Sequence, residues 1–125
     1  MSIYFILLFM LFMHIVDDYY LQGILAKMKQ KSWWEQNAPD RMYRYDFIPA
    51  LITHALSWSF MITLPIFLAK GWNPAWWVYL VLICNATIHA VVDHLKANRK
   101  KINLIIDQSI HLLQIAITWL LFVLI

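Results

Sequence analysis

The sequence is poor in the residues that build cross-linked or turn-rich folds. Its single cysteine, Cys84, excludes an intrachain disulfide and lies in an apolar run, where free cysteine behaves as a small packing residue. Two glycines and four prolines are too few for the turns of a β-sandwich or barrel. Charged residues make up 14% of the chain, against roughly 25% in soluble domains. The stretch Phe47–Ala69 has no Asp, Glu, Lys or Arg at all. No internal repeat, low-complexity tract or linker divides the 125 residues, so a single domain, 1–125, is expected. The net charge of +3 comes from basic residues in short stretches between apolar runs and carries no nucleic-acid signal.

What is present is apolar surface. Hydrophobic residues make up 62% of the chain, more than a soluble domain of this size could hide. The expected fold is all-α: a polytopic membrane protein built as a four-transmembrane-helix bundle. The spans are expected at about 3–21, 47–69, 74–93 and 104–125. Gly71 reads as a helix stop, Asn73-Pro74 as an N-cap followed by proline at the first helical position, and Asn103 as the cap of the last helix. Trp72, Trp76, Trp77 and Tyr79 suit a headgroup belt at one membrane face. The first segment lacks a basic leading region and a small-residue cleavage site, so it reads as retained rather than as a signal peptide.

Loop charges set the expected orientation. Residues 22–46 carry Lys27, Lys29, Lys31, Arg41 and Arg44, and residues 94–103 carry Lys96, Arg99, Lys100 and Lys101. The connection between them carries only Lys70. Both basic loops are therefore expected in the cytoplasm, with both termini on the far, periplasmic side. Trp33 and Trp34 among the lysines suggest that the first loop lies on the membrane surface.

Against this apolar background stand His14 and Asp18, His54, His89 and Asp93, and Asp107 and His111. Three pairs are spaced i, i+4, which puts both members on one helix face. Asp at mid-bilayer costs roughly 2.5–3.5 kcal/mol on an insertion scale, so several such groups need a compensating role. Counted from the cytoplasmic ends of the spans, the four histidines lie about seven residues or roughly 10 Å inside, and the three aspartates about three residues or roughly 5 Å. The order Asp-then-His reverses between inward-running and outward-running helices. A histidine layer beneath an aspartate layer follows, opening toward the cytoplasm. Gln22, Ser57, Asn85 and Gln114 extend the same stripe and are candidate partners that orient the ligands.

Four imidazoles and three carboxylates converging from several helices point first to a metal site for one or two ions. Nitrogen and oxygen donors without thiolate favour a divalent metal, Zn first, with Mn or Fe as alternatives. A proton or ion path uses the same residue types but would need polar groups in the outer half of the membrane as well. Plain helix–helix hydrogen bonding needs neither a shared depth nor layering. Asp17 sits about 100° from Asp18 on an α-helix and is read as facing another helix or the interface. His94 is read as interfacial, and Lys96 as snorkelling or paired with an anion in the site.

The pieces His14-Ile-Val-Asp-Asp18-Tyr-Tyr-Leu-Gln22, His54, His89-Ala-Val-Val-Asp93-His-Leu-Lys96 and Asp107-Gln-Ser-Ile-His111 resemble those of small bacterial and phage membrane proteins grouped as domain-of-unknown-function family 3307. His94, in place of an aromatic, and the extra acid Asp17 depart from that pattern. The resemblance implies a bacterial inner-membrane location and supports the seven site residues more than any reaction. The preferred expectation is a metal-dependent membrane hydrolase acting on a lipid-linked or amphipathic substrate. The alternatives are a non-catalytic binding or regulatory protein with a structural site, and a proton or ion conductor. A homo-oligomer that helps shield the polar groups from lipid is also expected.

Overall fold

Ser2 starts the first helix: its hydroxyl accepts a hydrogen bond from the Phe5 N–H at 3.1 Å. The computed structural model describes residues 1–125, all of whose regular structure is helical. Helix α1 (Ile3–Ile15) runs directly into a π-helical segment, Val16–Leu21. Two short helices follow in the first loop, α2 (Leu25–Met28) and α3 (Lys31–Asn37), then a 3₁₀ turn at Arg41–Tyr43. The remaining long helices are α4 (Phe47–Lys70), α5 (Trp76–Ala97) and α6 (Leu104–Leu124). Four of the helical segments are long and apolar enough to cross a membrane, as a four-helix membrane bundle requires.

Helix ends follow local chemistry, with one departure from expectation. Asn103 caps α6, its Oδ1 accepting from the Ile106 N–H at 2.9 Å. Helix α5 begins not at Pro74 but at Trp76, after Ala75 in extended conformation, and Asn73 provides no cap. It also runs past Asp93 to Ala97, where the Asn98 N–H bonds the His94 carbonyl and the Lys101 N–H bonds the Leu95 carbonyl. His94 and Lys96 are therefore helical residues. Gly71 ends α4 at φ 85°, ψ 170°, a region open essentially to glycine alone. A Cβ there would meet no atom within 4 Å, so the constraint is conformational and not steric crowding. Gly71→Ala is expected to cost about 1–3 kcal/mol, read as a lowered unfolding temperature in detergent.

The four long helices form a ring in chain order, α1 beside α4, α4 beside α5, α5 beside α6, and α6 back against α1. The Trp119 indole donates to the Ile3 carbonyl at 2.8 Å, tying the end of α6 to the start of α1. Helix α4 is the most enclosed, and its Pro49 and Pro65 are tolerated, the first in the opening turn and the second buried among neighbouring helices. An apolar cluster fills part of the bundle interior: Ile6 and Met10 of α1 pack with Trp58, Ile62 and Ile66 of α4 and Ile115 of α6. In lipid such contacts hold helices by close packing, because apolar side chains gain little from leaving acyl chains for protein. Ser59 adds a hydrogen bond from α4 to the Leu82 carbonyl of α5. Leu8, Ile83 and Leu113 point outward, as does Cys84. Helical register places Cys84 on the outer face of α5.

Trp72 and Trp76 are exposed at the α4–α5 turn, where the Lys70 ammonium lies 5.3 Å from the Trp77 ring centroid. The His/Asp residues gather at the opposite end of the bundle, under the first loop and the α5–α6 turn.

Candidate metal centre

All seven sequence-derived residues meet in one buried cluster. On α5, His89 and Asp93 face inward one turn apart; on α6, Asp107 and His111 do the same. His54 enters from α4, His14 from α1, and Asp18 from the π segment. The His54 Nε2 lies 3.1 Å from Asp93 Oδ2, 3.4 Å from Asp18 Oδ1 and 3.0 Å from His89 Nε2. The His111 Nε2 lies 3.4 Å from Asp93 Oδ1 and 3.3 Å from Asp107 Oδ1. The expected histidine and aspartate layers therefore touch, forming one mixed shell of nitrogen and oxygen atoms. His89 stacks on Trp58, 4.2 Å away by ring centroid, and on His111, 4.0 Å away, and Trp58 and His111 also touch each other at 5.2 Å.

Hydrogen bonding separates His14 from the rest. The Trp58 indole, a donor only, gives its N–H to His14 Nδ1 at 2.8 Å. In the neutral ring the hydrogen must then sit on Nε2, which faces Gln108 Oε1 at 3.0 Å. The Gln108 amide nitrogen in turn donates to Asp107 Oδ2 at 2.9 Å and Asp18 Oδ2 at 3.3 Å. Both His14 nitrogens are thus engaged, and the ring acts on the cluster through Gln108. Neither of the two groups of converging ligand atoms includes His14.

Two lysines enter the cluster. Lys29, between α2 and α3, is buried and bonds Asp93 Oδ2 at 2.7 Å. Its loop is strapped to the end of α5 by Asn98, which donates to the Lys29 carbonyl at 3.0 Å and accepts from the Lys31 N–H at 2.7 Å. Lys96 bonds Asp107 Oδ2 at 2.9 Å, so of its two expected roles pairing holds. Asp17 turns inward to α4 and accepts from the Ser57 hydroxyl at 2.6 Å. Ser57 therefore serves Asp17 and not the His54 environment as expected. Of the two places expected for Asp17, another helix or the interface, the first holds, and Asp17 lies in the π segment beside Asp18. Gln22 donates to the Asp18 carboxylate and backbone, as its spacing suggested. His94, expected at the interface, is half-buried, stacks on Phe47 and pairs with Asn98.

The donor set fits a divalent ion. Ligand atoms about 2.0–2.1 Å from a tetrahedral zinc stand roughly 3.3 Å from one another, and the nitrogen–oxygen separations above bracket that value. Two groups, Asp18–His54–His89 and His89–Asp93–His111, each bring their ligand atoms within 4.8 Å, and they share His89. His111 Nε2 and Asp107 Oδ1 are buried without a hydrogen-bond partner although they face each other. Such atoms are costly unless a cation lies between or beside them. Asp18, Asp93 and Asp107 outnumber Lys29 and Lys96 by one charge with the histidines neutral, and a buried residual negative charge invites a cation.

Sequence reasoning missed Lys29, Trp58 and Gln108. Lys29 lies among loop lysines that explain orientation, Trp58 follows His54 by four in a largely apolar run, and Gln108 is off the i, i+4 spacing that singled out Asp107 and His111. No curated protein and no solved structure matches the chain. A profile of proteins of unknown function, DUF3307, matches residues 6–125 and therefore takes in every residue of the cluster. The chain belongs to the DUF3307 family.

Proposed function

We propose that the cluster is a divalent-metal centre at the cytoplasmic end of the bundle, and that the protein is a metal-dependent hydrolase of lipid-linked or amphipathic substrates. The observation that carries the metal reading is the pair of buried ligand groups, Asp18–His54–His89 and His89–Asp93–His111, that meet at His89, with His111 Nε2 unpartnered. Zinc suits these donors best, with manganese or iron as alternatives. When bound, such an ion polarises an oxygen-bearing group and acidifies a water. The chain supplies the rest. Asp18 is the least enclosed carboxylate of the cluster, its side chain 8% exposed against 2% for Asp93 and 0% for Asp107. Asp18 is thus the ligand nearest the mouth, with Gln22 and Gln108 beside it, and Asp107, in neither ligand group, is the carboxylate left to accept a proton. Lys96, with 27% of its side chain exposed, offers a cation to an anionic substrate group at the same edge.

One observation favours a second reading, a structural metal in a non-catalytic membrane protein: the cluster is almost sealed from the surroundings. Closed shells are typical of structural sites and open positions of catalytic ones. The two readings part in an assay of zinc-loaded protein with amphipathic phosphate and carboxyl esters. Turnover that chelation removes and zinc restores is expected; bound metal without turnover on either ester class would move the assignment to the structural reading. Orientation is tested separately. An alkaline phosphatase fused after Ile125 is expected to be active, as a periplasmic enzyme is, and an inactive fusion would reverse the proposed topology.

A further inference from the structure

Beneath the cluster, on the side away from the mouth, lies a second polar network that a membrane interior would not hold without cause. Its members are Asn85 on α5 and Gln114 and Thr118 on α6, all buried. Backbone carbonyls, which only accept, fix the direction of every hydrogen bond in it. Thr118 gives its hydroxyl hydrogen to the Gln114 carbonyl at 2.8 Å. The Thr118 oxygen must then accept from the Asn85 amide nitrogen at 2.8 Å. Asn85 Oδ1 is left as an acceptor, and the Gln114 amide nitrogen donates to it and to the Asn85 carbonyl, both at 3.1 Å. Turning the Gln114 amide over would set its oxygen against that carbonyl. Gln114 Oε1 is consequently committed toward His111 Nδ1, 3.1 Å away.

We propose that Gln114 is a positioning residue that fixes the hydrogen of His111 on Nδ1, so that Nε2 is the nitrogen presented to the metal. The inference rests on the metal reading above and deepens it. Without Gln114, an imidazole free to carry its hydrogen on either nitrogen could present N–H to the ion, the more so with Asp93 Oδ1 and Asp107 Oδ1 at 3.4 and 3.3 Å from Nε2. The same logic, run in the opposite sense by the Trp58 indole on His14, removes that ring from the ligand shell. Two donor–acceptor chains therefore sort two histidines of one cluster into different roles. Asn85 and Thr118 matter only through Gln114: they keep its amide from turning.

The test is nitrogen NMR of histidine-labelled protein in detergent, combined with zinc titration against a chromophoric chelator. The expected result is an Nδ1 of His111 that carries hydrogen with and without zinc, and an Nε2 that coordinates zinc when it is added. Gln114→Leu is expected to weaken zinc binding about 10–100-fold, the usual cost of losing a partner that orients a metal-bound histidine. Gln114→Glu keeps an oxygen opposite Nδ1 but sets its other oxygen against the Asn85 carbonyl, so it is expected to retain coordination through Nε2 with binding weakened less than in Gln114→Leu. Thr118→Val, a milder change, is expected to weaken binding less and in the same direction. A bare Nδ1 in the zinc-free parent, or a Gln114→Leu protein that binds zinc as tightly as the parent through Nε2, would overturn the inference. A parent chain that binds no zinc, manganese or iron would instead overturn the metal reading and take the inference with it; the zinc-free spectrum tells the two failures apart.

Discussion

Alanine at His89 is expected to weaken divalent-metal binding by more than about a hundredfold, beyond the loss that follows from removing an orienting partner. His89 is the residue shared by both ligand groups, so no three-residue set survives without it. Its ring also packs on both Trp58 and His111, and its removal takes a stacking partner from each. His14→Ala is the matched control. Although His14 carries the same side chain in the same cluster, both of its nitrogens are already taken, by Trp58 and Gln108. Its loss is expected to change zinc affinity by no more than about tenfold, through Gln108 and the carboxylates it orients. Zinc titration of the two purified variants separates them. Equal losses in both would mean that His14 is a ligand after all and that the tautomer argument fails.

Lys29→Met is expected to destabilise the metal-free protein by about 3–5 kcal/mol, the range for removing one member of a buried ion pair. Lys29 is buried, and its ammonium lies 2.7 Å from Asp93 Oδ2. Without it, Asp93 keeps its charge and loses its only buried ammonium. The double variant Lys29→Met with Asp93→Asn is expected to recover much of the loss, because neither charge is then stranded. Added zinc is expected to stabilise Lys29→Met more than the parent, since the ion replaces the missing positive charge beside Asp93. Chemical unfolding in detergent, with and without chelator, measures all three effects. A Lys29→Met protein within about 1 kcal/mol of the parent would place Lys29 in solvent as an ordinary surface pair.

Much of the site is legible in the sequence because membrane helices make periodicity informative. Spacing of four residues put His89 with Asp93 and Asp107 with His111 on shared faces, and both pairs do face inward. The alternation of Asp and His along successive spans located the common end of the bundle without any coordinates. Asn103 and Gly71 ended or began helices where their chemistry said they should. What escaped has physical reasons. The π form of Val16–Leu21 is signalled by no local residue. Lys29 is recruited by tertiary contact, through a strap that depends on Asn98 some seventy residues later. The role of His14 depends on which hydrogen bonds its two nitrogens make, and spacing cannot distinguish a ligand from a hydrogen-bonded neighbour. The longer reach of α5, to Ala97, is set by bonds made after the apolar run has ended.

The metal content of the protein tests the central claim most directly. Protein purified in detergent without added chelator, and measured by elemental mass spectrometry, is expected to carry about one transition-metal ion per chain, zinc in the first instance. His54→Ala and His89→Ala preparations of the same yield are expected to carry almost none. A folded parent protein that holds no zinc, manganese or iron, and whose unfolding temperature none of those ions raises, would contradict the account.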